Sequence, residues 1–386
     1  MYTRREFGQL ALAGLPAAAL LDRTFTGSSW IQTRPNSLIN GVQIGAITYS
    51  YRGMPDQSAE ATLRYCVESG ISAIELMGGP VNAYARTRTG FTPSTGGRAG
   101  GGGGGRGGGR GRGEIDPATL TGSWNGVPCA PAREGGGRGR DQGLAPVTAN
   151  TVQAPTPPAG GGRGAPTPAQ QAAAEEERKW RLSLSMDIFK DLRKLYNDAG
   201  VSIYAVKDVR QGTDEDLEYT FAVAEALGAT HVTLELPGGA SAAATLKRLG
   251  DWALRKKIYA AYHSHEQGSM TAFDEAFAIS RGNMANVDFG HYVAAGNVGG
   301  SPLQFLEKFH GRIASFHLKD RTTPKNCALN LAWGAGETPI REILQLVKKN
   351  QWKMPASIEL EYPVPADSDA VKETARCLEF CRKALA

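Results

Sequence analysis

Short apolar runs alternate with amphipathic stretches along most of this chain. GVQIGAITYSY (41–51) predicts a strand, SAEATLRYCVESG (58–70) a helix closed by Gly70, and ISAIELMGG (71–79) a second strand. Between residues 88 and 172 no apolar period is sustained, and Gly, Pro, Arg and Ala dominate. Such a segment buries too little to offset chain entropy and is expected to be largely disordered. The alternation resumes with EEERKWRLSLSMDIFKDLRKLYNDAG (175–200), a charged helix ended by Gly200. Six further strands are predicted at VSIYAVKDV, ATHVTLELP, IYAAYHSH, MANVDFGHY, RIASFHLKD and PASIELEYP, each followed by a helical pattern.

Eight strand–helix units predict an α/β fold, a closed parallel (β/α)8 TIM barrel over residues 38–386. The 88–172 insertion falls after strand two, between that strand and its helix. A doubly wound sheet is the alternative. It would carry a Gly-rich phosphate loop after its first strand, and TYSYRGMPDQ is no such loop. The Gly runs at 96–113 neither follow a strand directly nor open a helix.

Charge explains what the Arg-Gly run is not. Residues 88–163 hold nine Arg and four acids, which is the entire +5 net charge of the chain. The remainder is neutral, so no basic groove for nucleic acid is implied. The insertion is expected to be a surface loop dispensable for folding. Five Cys (66, 129, 327, 377, 381) show no paired metal or disulfide spacing and are expected to be isolated thiols. Residues 1–30 read as an export signal and linker. Thr3-Arg4-Arg5-Glu6-Phe7 precedes a short apolar run with small residues near its end, a twin-arginine-type pattern that implies a periplasmic or secreted protein. No later segment is long and apolar enough to anchor the chain in a membrane.

Polar residues gather at the C-terminal ends of the later strands: Glu235, then His263 and His265, then Asp288 and His291, then His317, Lys319 and Asp320, then Glu359 and Glu361. In a closed barrel these ends converge on one mouth. Carboxylates and imidazoles gathered there suit one divalent cation, Mn2+, Mg2+, Co2+ or Zn2+, with positions open for substrate oxygens. One such residue alone is more often a satisfied structural group; five successive strand ends carry the argument.

VDFGHYVAAG, ASFHLKDR, WGAGETPIREILQLVKKNQW and SIELEYPVP, in that order, resemble the sugar phosphate isomerase/epimerase family with xylose-isomerase-like barrels. YHSH is similar to the His-Asn-His on strand five of one branch. The resemblance covers about 41–87 and 175–386. It implies one metal held by Glu, Asp, His and Glu. Asp288, His317 and Glu361 match the last three, and Glu361 fits better than Glu359. Family epimerases place a glutamate on strand five where this chain has His263, so Glu235 is the expected replacement ligand. His291 matches a substrate-contacting histidine, and Arg321, Glu75 and Tyr49 are expected beside it.

The implied chemistry is enolisation of a sugar or keto-sugar. Glu361, His263 or His265 would move the proton, and Lys319 or His291 would steady oxygens. Returning the proton gives an isomerase or epimerase. Expelling a β-oxygen gives a dehydratase or 3-keto-glycoside lyase. A non-catalytic sugar-binding barrel and an endonuclease are the other classes; the neutral barrel argues against the latter. The expected partner is a small sugar, with a homo-oligomer left open.

Overall fold

Eight parallel strands close on themselves in the computed structural model, which describes residues 34–94, 122–124, 126–129, 166–265 and 267–386. They are β1 (Val42–Ile47), β2 (Ala73–Met77), β3 (Ser202–Lys207), β4 (His231–Glu235), β5 (Tyr259–His263), β6 (Asn283–Asp288), β7 (Ile313–Leu318) and β8 (Ala356–Ile358). Each pairs with the next, and β8 pairs with β1 through Ala356 opposite Ile44, closing the barrel. The predicted TIM barrel is therefore the fold. Register places Glu235 beside His263 and His317 beside Asp288 before any side chain is considered.

Local sequence starts and stops the surrounding helices. Helices α1 (Ala59–Glu68) and α2 (Gly78–Thr89) follow β1 and β2; α3 (Pro168–Leu182) and α4 (Asp187–Asp198) precede β3. Next come α5 (Asp214–Leu227), α6 (Ala242–Lys256), α7 (Asp274–Ile279), α8 (Phe289–Ala294), α9 (Pro302–Phe309), α10 (Ile340–Asn350) and α11 (Ala370–Leu385). The Ser58 side chain caps α1, and Thr213 with Asp216 forms a capping box on α5. Gly228 ends α5 at φ +76°, a left-handed conformation that suits glycine. Buried apolar residues from strands and helices pack between the two layers, among them Phe221, Phe305, Leu344 and Leu378. At Gly45 an added Cβ would lie 2.7 Å from the Tyr204 ring, so only glycine lets Tyr204 fill the barrel floor.

The structure adjusts four expectations, the first being that the one helix expected over 175–200 is two, α3 and α4, parted by residues 183–186. Strand β6 stops at Asp288, and Phe289–Ala294 turns into helix, so His291 stands on a first helical turn rather than in a strand. Asp288 causes the break: its side chain accepts the His291 backbone N–H at 2.8 Å and caps α8. The insertion lies after α2, not between β2 and its first helix, and α3 begins at Pro168, where Thr167 and Gln170 form a capping box. Cysteine spacing also misled. Cys66, Cys377 and Cys381 are buried thiols, but Cys129 is disulfide-bonded to Cys327 across 198 residues. A short hairpin, Ser123–Trp124 with Val127–Pro128, leads into Cys129. The insertion is thus covalently tied to the loop after β7. The export signal and segments 95–121 and 130–165 lie outside the described residues.

No described helix is long and apolar enough to cross a membrane. The disulfide generates a stability prediction. Closing a loop of this size typically contributes about 2–4 kcal/mol. Cys129→Ser and Cys327→Ser are each expected to lower the unfolding free energy obtained from denaturant titration by that order, and reductant should act on the wild type but on neither variant. Equal stability of wild type and both variants would show that the bridge is energetically silent.

Candidate active site

Strands β4, β7 and β8 carry polar residues at every second position: His231, Thr233 and Glu235; Ser315, His317 and then Lys319; Ser357 and then Glu359 and Glu361. Alternate residues of a strand share a face. Their bonds join strands that are not neighbours, so that face is the barrel interior. His231 Nε2 and Ser315 Oγ are 2.8 Å apart, and the Tyr204 and Ser357 hydroxyls bond each other. Glu75 on β2 accepts from Thr233 Oγ1 at 2.6 Å and faces His317 Nε2 at 2.8 Å. Burial pushes the His231 pKa down to about 4, so it serves as a neutral member of this floor.

His317 is the hub of the next layer. Its Nε2 faces Glu75 and its Nδ1 lies 2.7 Å from Glu359 Oε2. Burial opposes its charge, but the two carboxylates prevail and raise its pKa to about 10. The same contact works in reverse. Burial pushes the Glu75 and Glu359 carboxyls up, yet His317 holds Glu75 below its usual range, and Lys319 with His317 holds Glu359 well below it.

Above this layer the Lys319 ammonium gathers the acids of β6 and β8. It lies 3.0 Å from Asp288 Oδ2, 3.2 Å from Glu359 Oε2 and 2.5 Å from Glu361 Oε2. Burial would strip its proton, but these carboxylates keep its pKa well above normal. Burial raises Asp288 to about 6 although Lys319 opposes it. His291 stands between two cations, with Nε2 3.0 Å from Lys319 and Nδ1 2.7 Å from Arg321. Burial, Lys319 and Arg321 together push its pKa well down. Arg321 is fixed from behind by its bond to the Ala328 carbonyl. Asp320 latches the same loop, accepting the backbone N–H groups of Gly334, Gly336 and Thr338. A Cβ at Gly336 would lie 2.3 Å from Asp320 Oδ1, which explains the glycines of WGAGETP.

A second dyad stands beside His291, whose ring centroid is 4.6 Å from that of His265. His265 Nε2 is 2.8 Å from Glu235 Oε2, and Lys207 Nζ is 3.2 Å from Glu235 Oε1. Against the cost of burial, Glu235 raises the His265 pKa, and Lys207 with His265 depresses that of Glu235 well below normal. Tyr49 forms part of the wall with the Arg52 guanidinium 4.1 Å over its ring. Burial raises the Tyr49 pKa, as do the nearby Glu361 and Glu359, while Arg52 opposes them.

The expected metal quartet Glu235, Asp288, His317 and Glu361 does not come together. Donor atoms of His263, Asp288, His317 and Glu359 do, all within 4.8 Å of one another. Glu361 is held by Lys319, and Glu235 by Lys207 and His265. The register explains the exchange: Glu235 and His263 are level neighbours, and His263 is the buried one. Two nitrogens and two carboxylates fit a divalent cation in kind. Asp288 Oδ2 is buried and accepts no hydrogen bond; its one close partner is the Lys319 ammonium at 3.0 Å, which a cation would have to replace. Glu75, expected to touch substrate, lies instead beneath His317, with its two carboxylate oxygens taken by Thr233 and His317. Asn286, Thr233, Ser315 and Lys207 escaped the sequence reading; the two-residue polar spacing within the strands was the signal available for the first three.

The chain matches the xylose isomerase-like TIM barrel family over residues 177–382 and belongs to it. No curated protein matches it. Among solved structures it is similar to an uncharacterised protein from Parabacteroides distasonis, at 19% identity over 89% of this chain and 99% of that one, TM-score 0.48. It is also similar to a sugar phosphate isomerase/epimerase from the same organism, at 12% identity over 92% and 97% of the two chains, TM-score 0.48. A probable 3-DHS dehydratase involved in petrobactin synthesis from Bacillus anthracis is likewise similar, at 12% identity over 86% and 97%, TM-score 0.48.

The His317 contacts fix a pH dependence for the metal-free protein. Its raised pKa contributes stability in full below the ordinary value near 6.5, and this is lost as pH rises through about 10. The depressed Glu75 and Glu359 contribute above the ordinary carboxylate range and lose their share as pH falls through their lowered values. The gap in denaturant midpoint between wild type and His317→Gln, measured in chelator, should therefore be widest between about pH 4.5 and 6.5, narrow steadily above that, and close above pH 10. Glu75→Ala is expected to cost about 3–5 kcal/mol by stranding a buried charge. A gap that stays constant to pH 11 would show that His317 is not the group that titrates.

Proposed function

We propose that this chain is an exported, divalent-metal-dependent enzyme that enolises a sugar or keto-sugar, in the manner of an isomerase or epimerase. The observation that carries the reading is the set His263, Asp288, His317 and Glu359 at the C-terminal ends of four successive strands. That face is where barrel enzymes place their chemistry. Membership of the xylose isomerase-like family supports it. Export rests on the twin-arginine-type N-terminus. The Cys129–Cys327 disulfide agrees with it, since such bonds persist in oxidising compartments.

His263, Asp288, His317 and Glu359 would hold the cation, which supplies Lewis-acid polarisation of a substrate carbonyl. The chain's own residues do the rest. Glu361, one alternation beyond Glu359 and steadied by Lys319, would take the proton from the carbon beside that carbonyl. Lys319, His291 and Arg321 form a donor-rich wall for substrate oxygens. Next to His291, Glu235 orients His265 through Nε2 and favours its protonated form.

A second reading, β-elimination by a dehydratase or 3-keto-glycoside lyase, is favoured by that dyad. A protonated imidazole backed by a carboxylate is an acid suited to a departing oxygen. An epimerase needs instead a group that removes and returns a carbon-bound proton.

Purified protein should contain a divalent metal, and a panel of keto-sugars in D2O should show deuterium entering the substrate. Asp288→Ala and His317→Ala should each lose metal and exchange. Retention of full occupancy and exchange by both variants would remove the assignment. His265→Gln separates the two outcomes: exchange persisting while release of a β-substituent falls at least tenfold, about 1.4 kcal/mol in barrier, identifies the lyase.

A further inference from the structure

We propose that Asn286, locked by Glu75 and Ser315, makes His263 a nitrogen ligand by fixing its proton on Nδ1, so that the metal site takes two imidazoles. The argument starts from Glu75, and it rests on the metal-dependent reading above. A buried ionised carboxylate only accepts hydrogen bonds, so whatever faces it donates. Its Oε1 takes the Thr233 hydroxyl at 2.6 Å. Its Oε2 takes His317 Nε2–H at 2.8 Å, and the Asn286 amide nitrogen lies 3.4 Å away on the same side.

The Asn286 amide is thereby oriented. Its nitrogen faces Glu75 and donates to Ser315 Oγ at 2.6 Å. Its oxygen, on the other side, lies 3.0 Å from His263 Nδ1. An amide oxygen cannot donate, so that imidazole nitrogen must carry the hydrogen. A neutral imidazole has one N–H, and Nε2 is left with its lone pair. The same carboxylate leaves Nδ1 of His317 as that ring's outward nitrogen. One buried acid thus orients both rings of the donor set, one directly and one through an amide. Glu75 and Asn286 are positioning residues: their polar atoms are committed to Thr233, Ser315 and the two histidines.

The ligand class follows from the donors. Two imidazole nitrogens with two carboxylates suit Zn2+ or Co2+ and disfavour Mg2+, which prefers oxygen.

Long-range proton–nitrogen NMR on the full chain labelled with 15N-histidine tests this directly. In chelator-treated protein near pH 8, the His263 signals should report hydrogen on Nδ1. Adding Zn2+ should shift Nε2 of His263 and Nδ1 of His317. Competition with a coloured chelator should give Zn2+ and Co2+ at least a hundredfold advantage over Mg2+. Asn286→Leu should weaken Zn2+ about 10–100-fold, the range expected for loss of an outer hydrogen bond to a ligand. The wild-type spectra stand even if that variant fails to fold. If Zn2+ moves His317 but not His263, or if His263 carries its hydrogen on Nε2, the inference falls and the metal-dependent function survives. If no divalent ion moves either ring, both fall together.

Discussion

A charged imidazole clamped between two buried carboxylates is the interaction on which this barrel's interior depends. Closing eight strands brings acids from β2, β4, β6 and β8 into a space with little water. Left uncompensated, each would be costly to ionise there. His317 resolves this for Glu75 and Glu359, and Lys319 does so for Asp288, Glu359 and Glu361. Both cations come from β7 and the residue just past it, two positions apart. That one strand therefore carries the countercharge for its neighbours on either side and for β2 across the barrel.

The polar layering of the interior was partly written in the sequence. Ser315-x-His317-x-Lys319, His231-x-Thr233-x-Glu235 and Ser357-x-Glu359-x-Glu361 each place three polar residues on one strand face. Apolar neighbours between them mark the other face as the one that packs under helices. The barrel and the positions of Asp288, His317 and Lys319 followed from such runs. What the runs lack is depth. Glu359 and Glu361 share a face, and only the pairing of β8 with β7 tells that Glu359 meets His317 while Glu361 meets Lys319. Glu235 and His263 were interchangeable for the same reason. Their register is level, and the difference lies in which side chain is covered.

Contacts at long range were not legible at all. Glu75 and His317 are 242 residues apart, and nothing local to ISAIELMGG announces an acid destined for the barrel floor rather than its rim. The end of β6 was misread because VDFGHY keeps apolar residues where a strand would have them. The competing signal was Asp288, a residue that both ends the strand and caps the helix. That double duty aims one carboxylate oxygen at a backbone amide and leaves the other for the site.

The bond between Cys129 and Cys327 alters what a cut in the chain means. Cleavage anywhere between residues 130 and 326 leaves one cysteine on each fragment, so the two pieces stay covalently joined. A cut before residue 129 or after 327 has no such safeguard. The arginines at 133, 138, 140 and 163 fall inside the protected span, whereas those at 98, 106, 110 and 112 fall outside it. For trypsin-like proteases the two halves of the same Gly/Arg-rich segment are therefore unequal targets: nicking in the second half leaves a two-chain barrel held by one bridge, and nicking in the first leaves β1 and β2 attached by packing alone.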